Sequence, residues 1–356
     1  MSPTDRLVNI VDTLTGRGAV QNPNEIPWNP DNSRFPSRRE LPKIPGAPED
    51  AAWVWGKDDQ IGRLNLLTPA RVKAAAAEIK SLPLDVPKTP AFGREVFEHK
   101  IKNLGGGVGY DDVYHLNTQS GTQWDGFRHF AHLGSKCFYD GPSHQTNTNY
   151  TGHSSIHHWA NHCIASRAML LDYKSYADSH GRDYDPYTSH AISFADLTAC
   201  ATSQGIDIKP ESQGGMVRPG DILLIRSGFV QRYNELSPTE REKTATRTHE
   251  NLAFAGLKQE EPILDWLHDC YFAAVAGDSP TFEVWPATST EGGRGDIKFM
   301  HQNILALWGM PLGEMWDLEK VASRCRELNR WTFFVSSAVA NVVGGVSSHP
   351  NAMAIF

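Results

Sequence analysis

Four short apolar runs constrain the fold of this chain most: AMLLDY (168–173), DILLIRSGF (221–229), FAAVAGD (272–278) and WTFFVSSAVAN (331–341). Each is strand-length and rich in aliphatic, β-branched or aromatic residues, which reads as a strand. Between them, SFADLTACATSQG, starting at Ser193, and PILDWLHDCY, starting at Pro262, carry helical spacing. Strands therefore alternate with helices, though without strict regularity. There is no internal repeat, low-complexity tract or linker after residue 50. The pattern predicts one α/β domain with a mixed sheet over residues 51–356.

Residues 1–50 differ. They are proline-rich (NPNEIPWNPDNSRFPSRRELPKIPGAP) with little periodicity, which predicts an extended arm lying on a surface, of the kind that wraps a neighbouring subunit. TPARVKAAAAEIKSL predicts a helix over 68–82, with Thr68 as N-cap and Pro69 at the first helical position.

Composition excludes several function classes. A 356-residue chain with 40% hydrophobic and 21% charged residues buries a core without staples. The net charge is −7 and no run of Lys or Arg could track a phosphate backbone, so no nucleic-acid partner is expected. The five cysteines are odd in number and never form C-x-x-C, which argues against a disulfide framework or zinc knuckle and fits a reducing compartment. The first residues lack a secretory pattern, and no uncharged apolar stretch reaches the roughly 20 residues of a membrane span. A cytoplasmic protein with no membrane partner is expected, so the sequon at Asn149 reads as chance.

Several motifs have plain readings. GGGVG (105–109) precedes an apparent strand, DDVYHLN, instead of opening a helix, and so predicts a lid or hairpin rather than a phosphate loop. GHSSI lacks the second glycine of a nucleophile elbow. HHWANH sets His158 and His162 four apart but has no glutamate after the first histidine, so it reads as a partly buried structural helix. His153 and His157 remain candidates for a pocket wall.

The segment NTQSGTQWDGFRHF (117–130) is richer in chemistry. Gln119, Gln123 and Asp125 are spaced evenly along a turning, extended stretch, with His129 four residues further on, and even spacing keeps side chains on one face. Asp125 is a hard carboxylate donor, whereas glutamine amide oxygens are weaker donors than imidazole for first-row metals. Read alone, the segment is a polar loop. Trp124 and Phe127 flank Asp125 and read as substrate-binding aromatics, while Arg128 suits a substrate carboxylate or a neighbouring acid. Far downstream lie His301 and Glu314, and Asp278 ends an apolar strand, where functional residues of α/β proteins tend to sit.

The sequence resembles the metal-dependent cyclase family, which includes kynurenine formamidases and isatin hydrolases. The family signature H-x-G-T-H-x-D-x-P-x-H-F is met in register by Q-S-G-T-Q-W-D-G-F-R-H-F, Gln119 to Phe130. Further segments agree in order: WGKDDQIGRLNLLTPARV, SRAMLLDY, RPGDILLIRSGF, GDSPTFE, MHQNILALWGMPLGEMWDL and GGVSSHPNAMAIF. The resemblance covers roughly residues 50–356. It implies a swivelling β/β/α domain that assembles as a homodimer or homotetramer. Asp125, His301 and Glu314 match metal-site residues, and His129 matches a non-ligand histidine that moves protons. Gln119 and Gln123 stand where the family has two ligand histidines, and Phe127 replaces the signature proline.

The resemblance implies Zn²⁺ or Mn²⁺ held by Asp125, His301 and Glu314, with amide oxygens of Gln119 or Gln123 as further donors. Exchange of nitrogen for oxygen donors biases the site toward Mn²⁺ or Mg²⁺. The expected reaction is hydrolysis of an amide, lactam or lactone of a small, aromatic metabolite. Two alternatives stay open: a metal-free cyclase, dehydratase or isomerase of a small carbonyl compound, and a non-enzymatic member that binds a small ligand.

Overall fold

The structure is a computed structural model that describes residues 28–32, 35–56, 59–68, 71, 90–141, 152–287 and 299–356. The helix predicted over 68–82 falls almost wholly outside these residues, as do the first half of the proline-rich arm and the sequon at Asn149.

Twelve strands are formed by the described residues: β1 (Glu98–Leu104), β2 (Gly109–His115), β3 (Gln123–Asp125), β4 (Ile164–Leu171), β5 (Ala191–Ile192), β6 (Ile222–Ile225), β7 (Gly256–Leu257), β8 (Ala274–Gly277), β9 (Leu312–Glu314), β10 (Thr332–Ser337), β11 (Ser347–Ser348) and β12 (Ala352–Ile355). Eight of them make one sheet in the order β11-β3-β9-β8-β6-β4-β10-β12. Its centre, β4-β6-β8-β9, is parallel, and both flanks are antiparallel. The mixed sheet read from the apolar runs is the one observed. Strands β6 and β8 are buried at every position, as expected of parallel strands covered on both faces. Helices Phe194–Ser203, Glu261–Asp269 and Glu319–Leu328 deliver Leu197, Ile263 and Val321 to the same core. Ser193 caps the first of these through a capping box with Asp196, as its position predicts.

The run DILLIRSGF is strand for only four residues. Asp278, at the end of β8, accepts hydrogen bonds from the backbone N–H groups of Ser227 (2.6 Å) and Gly228 (2.7 Å) and from the Ser227 hydroxyl (2.8 Å). Gly228 then turns with φ of 87°, open to glycine at little cost, and helix Phe229–Glu235 begins. Asp278 thus shapes a turn.

GGGVG closes the β1–β2 hairpin, with Gly105, Gly106 and Gly107 all at positive φ. The described part of the N-terminal arm lies on its own chain. Trp28 packs with Val54, Trp55 and Tyr271, and Arg38 pairs with Asp50, Glu261 and Asp265.

Candidate functional site

The site is assembled where β3 meets β9. Gln123 and Asp125 are two residues apart on β3, so both side chains leave the same face of the sheet. The antiparallel register pairs Gln123 with Glu314, which brings that carboxylate onto the same face. His301 arrives from the start of the irregular helical turn Gln302–Leu307. One donor atom from each of Asp125, His301 and Glu314 lies within 4.8 Å of the others, and all three residues are buried. His301 Nε2 is 3.0 Å from Glu314 Oε1 and 3.8 Å from Asp125 Oδ2.

The glutamines complete the cluster but take unequal roles. Gln119 Nε2 donates to Asp125 Oδ1 (2.5 Å), and its own amide oxygen accepts from Gln123 Nε2 (2.8 Å). Gln123 Nε2 also reaches Glu314 Oε2 (2.8 Å) and Asp125 Oδ1 (3.2 Å). Gln119 therefore orients Asp125, and its amide oxygen, expected as a metal donor, is taken by Gln123. Two buried oxygens are left without a hydrogen-bond donor, Gln123 Oε1 and Asp125 Oδ2, while Glu314 Oε1 is met by His301 Nε2 at 3.0 Å. Buried oxygens of this kind cost free energy unless a partner satisfies them. Asp125 Oδ2, Glu314 Oε1 and His301 Nε2 form a hard, mainly oxygen donor set that fits a divalent cation.

Glu283 is the functional residue that the sequence reading missed. Both of its oxygens lie 2.9 Å from His301 Nδ1, and Oε1 also accepts from the backbone N–H of Met300 at 3.0 Å. A carboxylate on one ring nitrogen fixes the tautomer and aims the other nitrogen at the site. The signal was present in GDSPTFE, whose turn ends in this acid.

The electrostatics follow from burial and crowding. Burial alone would lower the His301 pKa, but Glu283 and Glu314 outweigh it and hold the value well above 6.5. Burial, aided by Asp125, pushes Glu314 up to about 7 against the opposing pull of His301. His129 lies with its ring 6.5 Å from that of His301, and burial draws its pKa below 6.5. A neutral imidazole at neutral pH can accept a proton.

Three substrate-binding expectations need correction. Trp124 and Phe127 are fully buried core residues. Trp124 packs edge-on against Trp316 and donates to Ser337 Oγ at 2.9 Å, while Phe127 packs against Tyr139 and Trp159. Alternation explains Trp124, since a residue between two that face the site must face away. Arg128 is buried and donates to the Gly344 carbonyl at 2.7 Å, so it braces the C-terminal loop. The aromatic wall of the site comes from other residues. Phe130 lies 5.5 Å from the His301 ring and 5.8 Å from Phe299, which stacks on Trp285 at 5.6 Å. HHWANH is the structural helix it was expected to be: His158 and His162 bind the backbone carbonyls of Gly152 and Leu64, and Trp159 enters the core.

With this geometry in place, comparison with known proteins is direct. The Cyclase family model matches residues 81–284, more than half of the chain. The chain belongs to the cyclase family. A solved structure described as a novel cyclase superposes with a TM-score of 0.70 at 24% identity, covering 86% of this chain and 99% of its own. Isatin hydrolase A from Ralstonia solanacearum superposes with a TM-score of 0.52 at 14% identity, covering 81% and 97%. An isatin hydrolase bound to the product analogue thioisatinate gives a TM-score of 0.50 at 13% identity, covering 78% and 91%. At these identities the likeness shows the shared fold. No curated protein matches the sequence significantly. No helix among the described residues is long and apolar enough to cross a membrane.

Proposed function

We propose that this cyclase-family protein is a metal-dependent hydrolase that opens an amide, lactam or lactone of a small, planar metabolite. The observation that carries the reading is the convergence of Asp125, Glu314 and His301 on one buried point, one donor atom of each within 4.8 Å of the others, with Asp125 Oδ2 unpartnered. Asp125, Glu314 and His301 would hold the ion, with Gln123 as a fourth donor, and oxygen-rich ligation favours Mn²⁺ over Zn²⁺. A bound cation supplies carbonyl polarisation and an acidified water.

The protein's own groups do the rest. Glu283 holds His301 Nδ1 so that Nε2 faces the reacting centre. Gln119 and Gln123 fix the inner oxygens of the two carboxylates and leave the outer ones facing His301 Nε2. His129, neutral through burial, takes a proton from the attacking water and returns it to the leaving nitrogen or oxygen. Phe130, Phe299 and Trp285 offer a flat apolar wall beside His301 that suits a planar substrate.

A second reading has its own support. Each carboxylate already accepts an amide N–H, so the cluster can act as a proton-transfer pair without an ion, in a cyclisation, dehydration or isomerisation. The two readings separate in one assay. Protein stripped with chelator and then reloaded with Mn²⁺ or Zn²⁺ is offered a panel of aryl formamides, lactams and lactones. The hydrolase reading expects turnover only after reloading. Equal turnover in the stripped protein would overturn it in favour of the metal-free chemistry.

A further inference from the structure

A second concavity adjoins the site at the carboxyl ends of the parallel strands, where α/β folds bind ligands. It is a cleft of about 80 Å³ that opens to solvent. Tyr187, Phe229, Val230, Tyr233, Leu252 and Phe254 give its wall an apolar side. Phe229, Val230 and Tyr233 are only half-buried, so they carry apolar surface that the fold does not spend on packing.

Two observations tie the cleft to the reacting centre. Thr122 and Met315 line it, and they are the immediate chain neighbours of Gln123 and Glu314. A chain of ring contacts also runs from the aromatic wall into it: Trp285 to Phe92 (5.7 Å), Phe92 to Phe254 (6.1 Å), Phe254 to Phe229 (5.7 Å) and Phe229 to Tyr187 (4.6 Å). The turn fixed by Asp278 is what starts the helix carrying Phe229, Val230 and Tyr233. The polar groups at the cleft are few and engaged. Arg241 donates to the carbonyls of Tyr233 (2.8 Å) and Asn234 (3.1 Å) and lies over the Tyr233 ring, while Asp317 accepts the Glu319 N–H.

We infer that this cleft receives an uncharged hydrocarbon group, an alkyl or aryl chain, attached to the substrate whose carbonyl lies at Gln123 and Glu314. The inference rests on the hydrolase reading only for the nature of the reacting group. A cleft of this size takes a short chain of a few carbons, and its mainly apolar lining favours an uncharged one.

The test uses the full-length, Mn²⁺-loaded protein and a series of γ-lactones from γ-butyrolactone to γ-dodecalactone. We expect kcat/KM to rise by about fourfold per added methylene until the cleft is full, chiefly through KM. Val230→Trp, which fills the cleft, should cut the long-chain to short-chain ratio at least tenfold, as should Thr244→Phe on the facing wall. Hydrolysis at a rate independent of chain length would overturn the cleft and leave the hydrolase reading standing. If no lactone is turned over, fluorescence of N-phenyl-1-naphthylamine decides. Binding by the native protein that both variants weaken at least tenfold upholds the cleft while the hydrolase reading fails. Absence of binding by the native protein overturns the cleft. Should both variants fail to fold, the chain-length series or probe binding of the native protein still decides.

Discussion

Two buried charged clusters lie near the carboxyl ends of the parallel strands, and they are built on opposite principles. Around Arg226, every charge is answered. Its Nη1 donates to Asp172 Oδ1 (2.7 Å), its Nε and Nη2 grip both oxygens of Glu319 (2.9 and 2.8 Å), and Arg326 supplies the other oxygen of Asp172. Burial would lower the Arg226 pKa, but Glu319 and Asp172 raise it further. Around Asp125, three carboxylates (Asp125, Glu283 and Glu314) face one imidazole, and Asp125 keeps a buried oxygen without a donor. A cluster whose hydrogen bonds all close holds structure. One that leaves lone pairs aimed at a common point is shaped for something that is not part of the chain.

The comparison breaks first at Arg226. Arg226→Met leaves buried Asp172 with Arg326 as its one charged partner, takes the fork from Glu319, and should cost about 3–5 kcal/mol of stability, read from the urea unfolding midpoint. A loss under about 1 kcal/mol would mean that the closed network is not holding the fold. Asp125→Asn should do the reverse: turnover falls by about 10²–10³-fold, while stability stays within about 1 kcal/mol or rises, because a like charge beside Glu314 is removed. Large destabilisation by this variant would place the cluster on the structural side. Glu283→Gln sharpens the account of His301, since loss of a carboxylate behind a ligand histidine typically weakens metal binding by about 10–100-fold. Calorimetric titration with Mn²⁺ reads this directly, and unchanged affinity would remove Glu283 from the site.

The smallest expected effect is on pH. The raised pKa of His301 means that its proton must leave before Nε2 can bind a cation, so affinity should strengthen as pH rises from 6 to 8, by up to about tenfold per unit. Titrations in buffers of different ionisation enthalpy count the released proton. Affinity that weakens with rising pH would contradict the assignment of His301.

Much of the fold was legible because its causes are local. Apolar runs at strand length gave β4, β6, β8 and β10, and Ser193 gave a helix start. The strand end inside DILLIRSGF was not legible, because it depends on Asp278, about fifty residues away. The same distinction governs the site. Even spacing put Gln119, Gln123, Asp125 and His129 together, whereas Glu314 joins them through the β3–β9 register and His301 from the start of the turn Gln302–Leu307, a meeting that only the family resemblance anticipated. Trp124 was misread although period-two alternation, already applied to its neighbours, places it on the far face. Glu283 escaped because GDSPTFE shows an acid at the end of a turn but not the histidine, eighteen residues on, that it orients.

The measurement that bears most directly on the central claim is the metal content of native protein purified without chelator, determined by inductively coupled plasma mass spectrometry beside the Asp125→Ala variant. The account predicts close to one equivalent of a divalent metal, with manganese favoured, in the native protein and its loss from the folded variant. Native protein that carries no metal, and takes up none after incubation with Mn²⁺ and Zn²⁺, would contradict it.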